Sequence, residues 1–328
     1  SANIKYRREQ SDNTRSADPR LYPRNIDMAA LEEYWVPGLE GLQQLKWRAS
    51  SNNPYFEQYE NTNAYASSRI IGNTMANYKF TDYLSIMGRV GLNQNQGENN
   101  NRTAFSTVGS NNQYGSFYSK QGRGYELNMD FLLTFQKDLS PSFNLKASVG
   151  GNKMRQESSW VNGSVDQLLV PDVYNLGNYR TYPKTGNNYA EKELNSLYGF
   201  ANISYKSMLY MDVTARNDWS STLPLDNNSY FYPSFTLSAL MNRIFQLPTQ
   251  ISFWKIRGNW AKVGNDTGPY QLQDAYYWGT GEGGTATITQ GGTKANPDLK
   301  PELTAAWEAG TDIRFFKNRL MLDLTYYN

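Results

Sequence analysis

The sequence predicts an all-β protein: an antiparallel β-barrel that crosses a membrane with strands, of which this chain supplies a large fragment. Three observations predict it. Apolar and polar residues alternate over strand-length segments, tight turns and long loops join these segments in strict succession, and the chain is polar throughout while rich in tyrosine. Alternation is the period of a strand, because successive side chains leave opposite faces of the pleated backbone. Short turns at one end and long loops at the other are the plan of an outer-membrane barrel, with periplasmic turns and extracellular loops.

Residues 1–68 come first and read mainly as an extracellular loop region. Asp12 to Pro23 is polar and charged, Asn25 to Leu45 mixes short apolar groups with Pro37 and Gly38, and residues 29–34 suit a helical turn. About ten antiparallel strands follow over residues 69–328. The first hairpin sets Ile70, Thr74, Ala76, Tyr78 and Phe80 before a turn at Thr81-Asp82-Tyr83, with Leu84, Ile86, Val90 and Leu92 returning. The second is the clearest. Tyr125, Leu127, Met129, Phe131, Leu133 and Phe135 point one way, while Glu126, Asn128, Asp130, Thr134 and Gln136 point the other, with Leu132 breaking the pattern. Lys137 to Ser142 turns this strand into Phe143, Leu145, Ala147 and Val149. Leu197–Tyr205 meets Leu209–Ala215 across Lys206-Ser207-Met208, Phe235–Ala239 meets Phe253–Val263, and Trp307–Ile313 meets Leu320–Tyr326. The strands are expected near 69–80, 84–94, 125–136, 143–153, 196–205, 208–217, 231–241, 252–263, 304–315 and 319–328. Loops fill 94–124, 153–194, 217–230 and 264–303. Loops longer than about 12–15 residues are uncommon in compact domains, so four of them between tight turns argue against a sandwich.

Composition bounds the function. The 328 residues include 25 Tyr, 14 Phe and 8 Trp, which suits strands with one apolar face and aromatic belts but also a soluble β-sandwich or carbohydrate-binding barrel. Mean hydropathy is −0.70 and no apolar run reaches the length of a membrane helix, so membrane residence must be by barrel. The net charge of +2 carries no basic stripe, which argues against a nucleic-acid partner. The chain has no Cys and no His, which removes disulfides, the commonest general base and the commonest zinc ligand; no cofactor or metal is expected and an enzyme is the weakest reading. Ser1-Ala2-Asn3-Ile4-Lys5 has neither an apolar signal region nor a cleavage site, so a signal peptide has been removed or the chain begins internally.

Several segments resemble SusC/RagA-type TonB-dependent transporters. Arg216-Asn217-Asp218-Trp219-Ser220-Ser221-Thr222-Leu223-Pro224 and Tyr230-Phe231-Tyr232-Pro233-Ser234 are similar to that family's barrel signature. Lys255–Trp260 with Val263-Gly264-Asn265-Asp266 resembles the next block, and Asn296–Glu302 with Phe315–Leu320 the one after. Pro23-Arg24-Asn25-Ile26-Asp27 and Asn53-Pro54-Tyr55 also look familial. The resemblance implies a plugged barrel of about 22 strands. It implies import of a large nutrient, chiefly a glycan and in some cases a peptide, with energy from the TonB complex and a SusD-like surface lipoprotein as lid. No plug domain or TonB box is recognisable here and the final strands are missing, so those functions fall on no residue of this chain. A receptor or assembly scaffold and a passive porin are the competing readings.

Candidate contacts follow. Arg216 and Asp218 lie two apart at the top of a strand, where a local ion pair competes with contact to substrate or plug. Ser220-Ser221-Thr222 suits local side-chain-to-backbone bonds. The glycines at 281, 283, 284, 291 and 292 form a flexible loop without the helix that phosphate binding needs. Trp160, Tyr174, Tyr179 and Tyr182 fall in one predicted extracellular loop and Tyr276, Tyr277 and Trp278 in another, where they either stack on sugar, anchor the lid, or pack among themselves.

Overall fold

In the computed structural model, which describes residues 1–13, 22–109 and 113–328, the alternating segments assemble into one antiparallel sheet of eleven strands. In chain order the elements are β1 (Ala2–Ser11), α1 (Pro54–Tyr59), β2 (Asn63–Lys79), β3 (Leu84–Thr103), β4 (Ser116–Ser140), β5 (Phe143–Val165), β6 (Lys184–Tyr205), β7 (Leu209–Ser220), β8 (Ser229–Leu240), α2 (Met241–Ile244), β9 (Ile251–Asn265), β10 (Tyr276–Thr280), β11 (Ala286–Gln290), β12 (Glu302–Phe315) and β13 (Leu320–Tyr327). Each strand of the main sheet pairs with its neighbour in sequence, except that β9 pairs with β12 while β10 and β11 form a separate two-stranded ribbon. The sheet is unclosed, with β1 and β13 as its edges.

The register fixes which residues share a face. Leu84, Phe135, Ala147, Ala201 and Val213 lie in one cross-strand row, and Val213 continues to Phe235, Trp260 and Trp307. Rows of the other parity carry Arg89, Asp130, Asn152, Ser196 and Asp218. The first face is the lipid-facing wall and the second the lumenal wall, as in a barrel with an apolar exterior and a polar interior.

All ten expected strands form, and all pair antiparallel. Their turn-proximal ends fall where the alternation places them, but several strands rise much further than expected. The segments 94–124 and 153–194 are largely ladder; of their described residues only 104–109, 113–115 and 166–183 lie outside it. Above the lipid both faces of a strand are wet, so alternation fades while the backbone hydrogen bonds continue. A second correction concerns residues 1–68: Ala2–Ser11 is a strand, paired from Ala2↔Thr74 to Ser11↔Tyr65. Its outward residues Ile4 and Tyr6 are too few for a period to be read against Lys5, Arg7, Arg8 and Glu9. The polar segment from Asp12 to Pro23 falls mostly at residues 14–21, outside the described residues.

The packed core lies in the crown above the strands. Phe105, Val165 and Leu168 are buried together, with Tyr114, Phe117, Tyr174 and Leu176 against them. Beside them, Asn53 caps α1 by accepting from the amides of Tyr55 and Phe56, with Pro54 in the first turn, where its missing N–H costs nothing. The Asn53 side chain also donates to the carbonyls of Leu31 (2.9 Å) and Leu45 (3.1 Å), while Gln44 donates to Asn52 Oδ1 and to the Ser106 carbonyl, both at 2.7 Å. Buried amides thus tie residues 31–61 to the β3–β4 connection.

Candidate functional site

Arg216 and Asp218 leave β7 on the lumenal wall two residues apart, which puts them side by side. Arg216 Nε donates to Asp218 Oδ1 at 2.7 Å, and Arg216 Nη2 donates to Ser196 Oγ on β6 at 2.9 Å. The Tyr232 hydroxyl, from β8, donates to Asp218 Oδ2 at 2.5 Å. Asp218 is only 3% exposed, so its charge is held by a guanidinium and a phenol rather than by water. The same wall carries Arg89, whose Nε donates to Asp130 Oδ2 at 3.1 Å, while Asn152 Nδ2 donates to Asp130 Oδ1 at 3.1 Å. A band of paired charges and amides therefore crosses six strands at one height, facing inward.

A second cluster closes the top of the short strands. Lys192 Nζ donates to Asp266 Oδ1 at 2.5 Å, Ser220 Oγ donates to Asp266 Oδ2, and Ser220 and Thr222 are nearly fully buried. The Ser221 hydroxyl accepts from the Glu193 amide (2.8 Å) and the Ser221 amide donates to the Glu193 carbonyl (2.9 Å). The connection after β7, the upper part of β6 and the end of β9 are latched through one carboxylate. Lys192, Tyr232 and Asp266 escape sequence reasoning as partners, since 74 residues separate Lys192 from Asp266 and no local spacing reports the contact.

The aromatic candidates are dispersed. Trp160 lies in β5 rather than in a loop, on the lumenal wall, with Lys120 Nζ 4.6 Å from its ring centroid. Tyr174 is partly buried against the crown core, tilted against Phe117 and with the Arg102 guanidinium 5.3 Å from its ring. Tyr179 and Tyr182 contact each other at 5.6 Å between centroids, and Tyr182 is 86% exposed. Tyr276, Tyr277 and Trp278 form β10 and are all exposed, with Tyr276 and Trp278 on one side of the ribbon and Tyr277 on the other. The ion pair of Arg216 and Asp218 and the ring pair of Tyr179 and Tyr182 are the candidates that meet; Trp160, Tyr174 and the β10 aromatics stand apart.

In the crown, burial shifts several ionisable groups, Glu60, Asp172 and Tyr34 among them. Burial and then the neighbouring Asp172 carboxylate raise Glu60, although the Tyr34 hydroxyl donates to it at 2.9 Å. Burial raises Asp172, and burial together with Glu60 pushes Tyr34 up to about 12. Asp172 packs against Gly41, where a Cβ would meet its Oδ2 at 2.4 Å. Among the described residues no group of His, Cys, Asp and Glu is arranged to hold a metal ion.

A family model described as TonB dependent receptor-like, beta-barrel, matches residues 3–328. The chain is 24% identical over 300 residues to the TonB-dependent receptor P3 of Formosa agariphila, covering 84% of this chain and 28% of that protein. Its fold matches the RagAB peptide transporter with a TM-score of 0.77 at 18% identity, over 86% of this chain and 32% of that one. The RagAB peptide importer in its 'open-open' state matches with a TM-score of 0.71 at 20% identity, again over 86% and 32%. The chain thus spans about a third of the length of the proteins it matches.

Proposed function

The chain belongs to the TonB-dependent receptor-like β-barrel family, and from that premise we propose that it forms part of the wall of an active importer of a large nutrient, an oligosaccharide or oligopeptide, in a bacterial outer membrane. The observation that carries the reading is the two-sided sheet. Its outer face is apolar beside the turns, whereas its inner face holds a band in which two ion pairs, Arg89–Asp130 and Arg216–Asp218, are joined to the neutral side chains of Asn152, Ser196 and Tyr232. Such a wall suits a lumen that is filled and reopened: a plug meets groups already satisfied, and its movement exposes no orphaned charge.

The unpaired edges at β1 and β13 point the same way. In lipid every unpaired backbone group costs several kcal/mol, so further strands, from residues outside this chain, pair with them. TonB acts on those outside parts. A SusD-like lipoprotein lid rests on the crown, where Tyr182, Tyr276 and Trp278 present exposed rings at the end of the sheet opposite the tight turns. Arg216 and Asp218 serve the plug side of the lumen as a preformed pair rather than as a direct substrate clamp.

The test is uptake by cells carrying the full-length protein, with and without a functional TonB. Energy-dependent accumulation of labelled oligosaccharide or oligopeptide that disappears without TonB supports the importer. Accumulation that persists without TonB makes the barrel a passive porin and defeats the proposal.

A further inference from the structure

Four adjacent strands place Ser67, Gly97, Gly122 and Trp160 in one cross-strand row of the lumenal wall. The two central positions have no side chain, so a hollow of about 450 Å³ opens there. Tyr65 bounds it on the β2 side, and Trp160 bounds it on the β5 side, three strand spacings or about 14 Å from Ser67. The floor lies far above the lipid. Trp160 is 17 residues beyond the start of β5, which at about 3.3 Å per residue and a tilt near 40° puts it roughly 43 Å above the periplasmic turns, against an apolar band of roughly 25 Å.

We propose that this trough is a binding subsite for a neutral oligosaccharide in the vestibule of the importer. Its glycines carry the argument. Glycine in a strand interior costs roughly 0.5–1 kcal/mol, and it is found where the backbone turns, where packing forbids a Cβ or where a ligand approaches closely. Neither Gly97 nor Gly122 has a positive φ, and a Cβ would meet its nearest neighbours at 3.6 Å and 3.5 Å, ordinary van der Waals contact. Neither backbone conformation nor packing within this chain requires glycine at either position, and the hollow above them is open to the close approach of a ligand.

The lining states its chemistry. Amides dominate: Asn93, Asn95, Asn99 and Gln156. The sheltered Oδ1 of Asn99 meets no donor among the described residues, although the site offers it to a hydroxyl. Of the charged side chains on this face, Lys120 sits over the Trp160 ring, and Glu126 accepts from Asn128 Nδ2 at 2.8 Å. Amides pair with sugar hydroxyls as both donors and acceptors, and an aromatic ring stacks on the C–H face of a pyranose. A peptide would instead seek a free strand edge or matched charges; here the backbone of β2 to β5 is bonded on both sides, and the lining is mainly uncharged. The inference rests on the importer reading, but it is tested apart from energised transport.

The purified full-length protein, with its lid where one co-purifies, is applied to an array of neutral oligosaccharides and, separately, to a library of short peptides. The proposal expects binding of at least one saccharide, weakened roughly tenfold or more by Gly122→Val, which fills the floor, and by Trp160→Ala. Gly122→Val is expected to keep or raise the melting temperature, so lost binding is not lost fold. Unaltered affinity in Gly122→Val overturns the subsite, as does peptide binding without any saccharide binding; in both cases TonB-dependent uptake still stands. Saccharide binding that the two variants abolish, in cells that show no TonB-dependent uptake, keeps the subsite and rejects the importer.

Discussion

Replacing Asp266 by alanine should open the latch at the top of the short strands while leaving the sheet intact. The Lys192–Asp266 pair is 2.5 Å long, and its side chains are 19% and 6% exposed. Removing one partner of a buried pair costs about 3–5 kcal/mol, because the other charge is left uncompensated. Lys192 keeps some access to water, which places the cost near the lower end, at about 3 kcal/mol. Ser220 loses the carboxylate as well but keeps the Thr222 hydroxyl at 2.9 Å, so its share adds little. A local opening energy lowered by about 3 kcal/mol speeds amide hydrogen exchange roughly a hundredfold. In the full-length protein this acceleration should be confined to residues 218–222, 191–194 and 264–266. Asp266→Asn, which keeps an acceptor for Ser220, should show a smaller effect. Acceleration below about threefold, or one spread evenly over the barrel, would refute the claim that a single carboxylate joins these elements.

Three further outcomes follow from the geometry. Leu133→Arg, on the lipid side near mid-membrane, should destabilise the full-length protein in vesicles by about 2–4 kcal/mol in denaturant titrations, whereas Thr134→Arg on the lumenal side should lose only about 1 kcal/mol with its hydrogen bond to Ser148; equal costs would contradict the face assignment. Lys206 (φ 48°) and Ser207 (φ 52°) both sit in the left-handed region of a two-residue turn closed by Met208 N donating to the Tyr205 carbonyl, so an Asn-Gly pair there should raise stability by roughly 1 kcal/mol, and a loss of stability would contradict the turn. Glu60 and Asp172 are held above their ordinary values of 4.5 and 3.8, so the crown is most protected below those values and loses that protection as pH rises through the raised ones. The protection factors of the crown amides, each corrected for the base-catalysed intrinsic exchange rate at that pH, should therefore be higher at about pH 4 than at about pH 8, and Asp172→Asn should flatten the difference; lower protection in acid would reverse the assigned sign.

The membrane-spanning part of this fold is written in the sequence because lipid on one side and a polar lumen on the other force a period of two. Tyr125 to Gln136 shows it almost without interruption, and Leu132, the one exception, lies on the lumenal face. Where both faces meet water the constraint disappears, and with it the legibility: Asn99, Lys120 and Trp160 are in strands, yet nothing in their neighbourhoods alternates. Edge strand β1 is lost for a related reason, because Arg7, Arg8 and Glu9 outweigh Ile4 and Tyr6 over ten residues. The Arg216–Asp218 pair is visible from its i, i+2 spacing, whereas Tyr232, Ser196 and Asp266 come to their partners only through register. Tyr174 reads as an exposed loop aromatic, whereas it packs partly buried against Val165 and Leu168, since a loop of this length can make its own core.

The orientation of the wall is the claim on which the rest depends, and spin-label accessibility along β4 tests it most directly. Labels placed singly at residues 125–136 of the full-length protein in vesicles are exposed in turn to oxygen, which partitions into lipid, and to a polar nickel chelate. A period of two is expected, with oxygen access at 127, 129, 131, 133 and 135 and none of it at 126, 128, 130, 132, 134 and 136. The opposite phase, or no period at all, would contradict the barrel wall described here, and with it the lumen through which import is proposed.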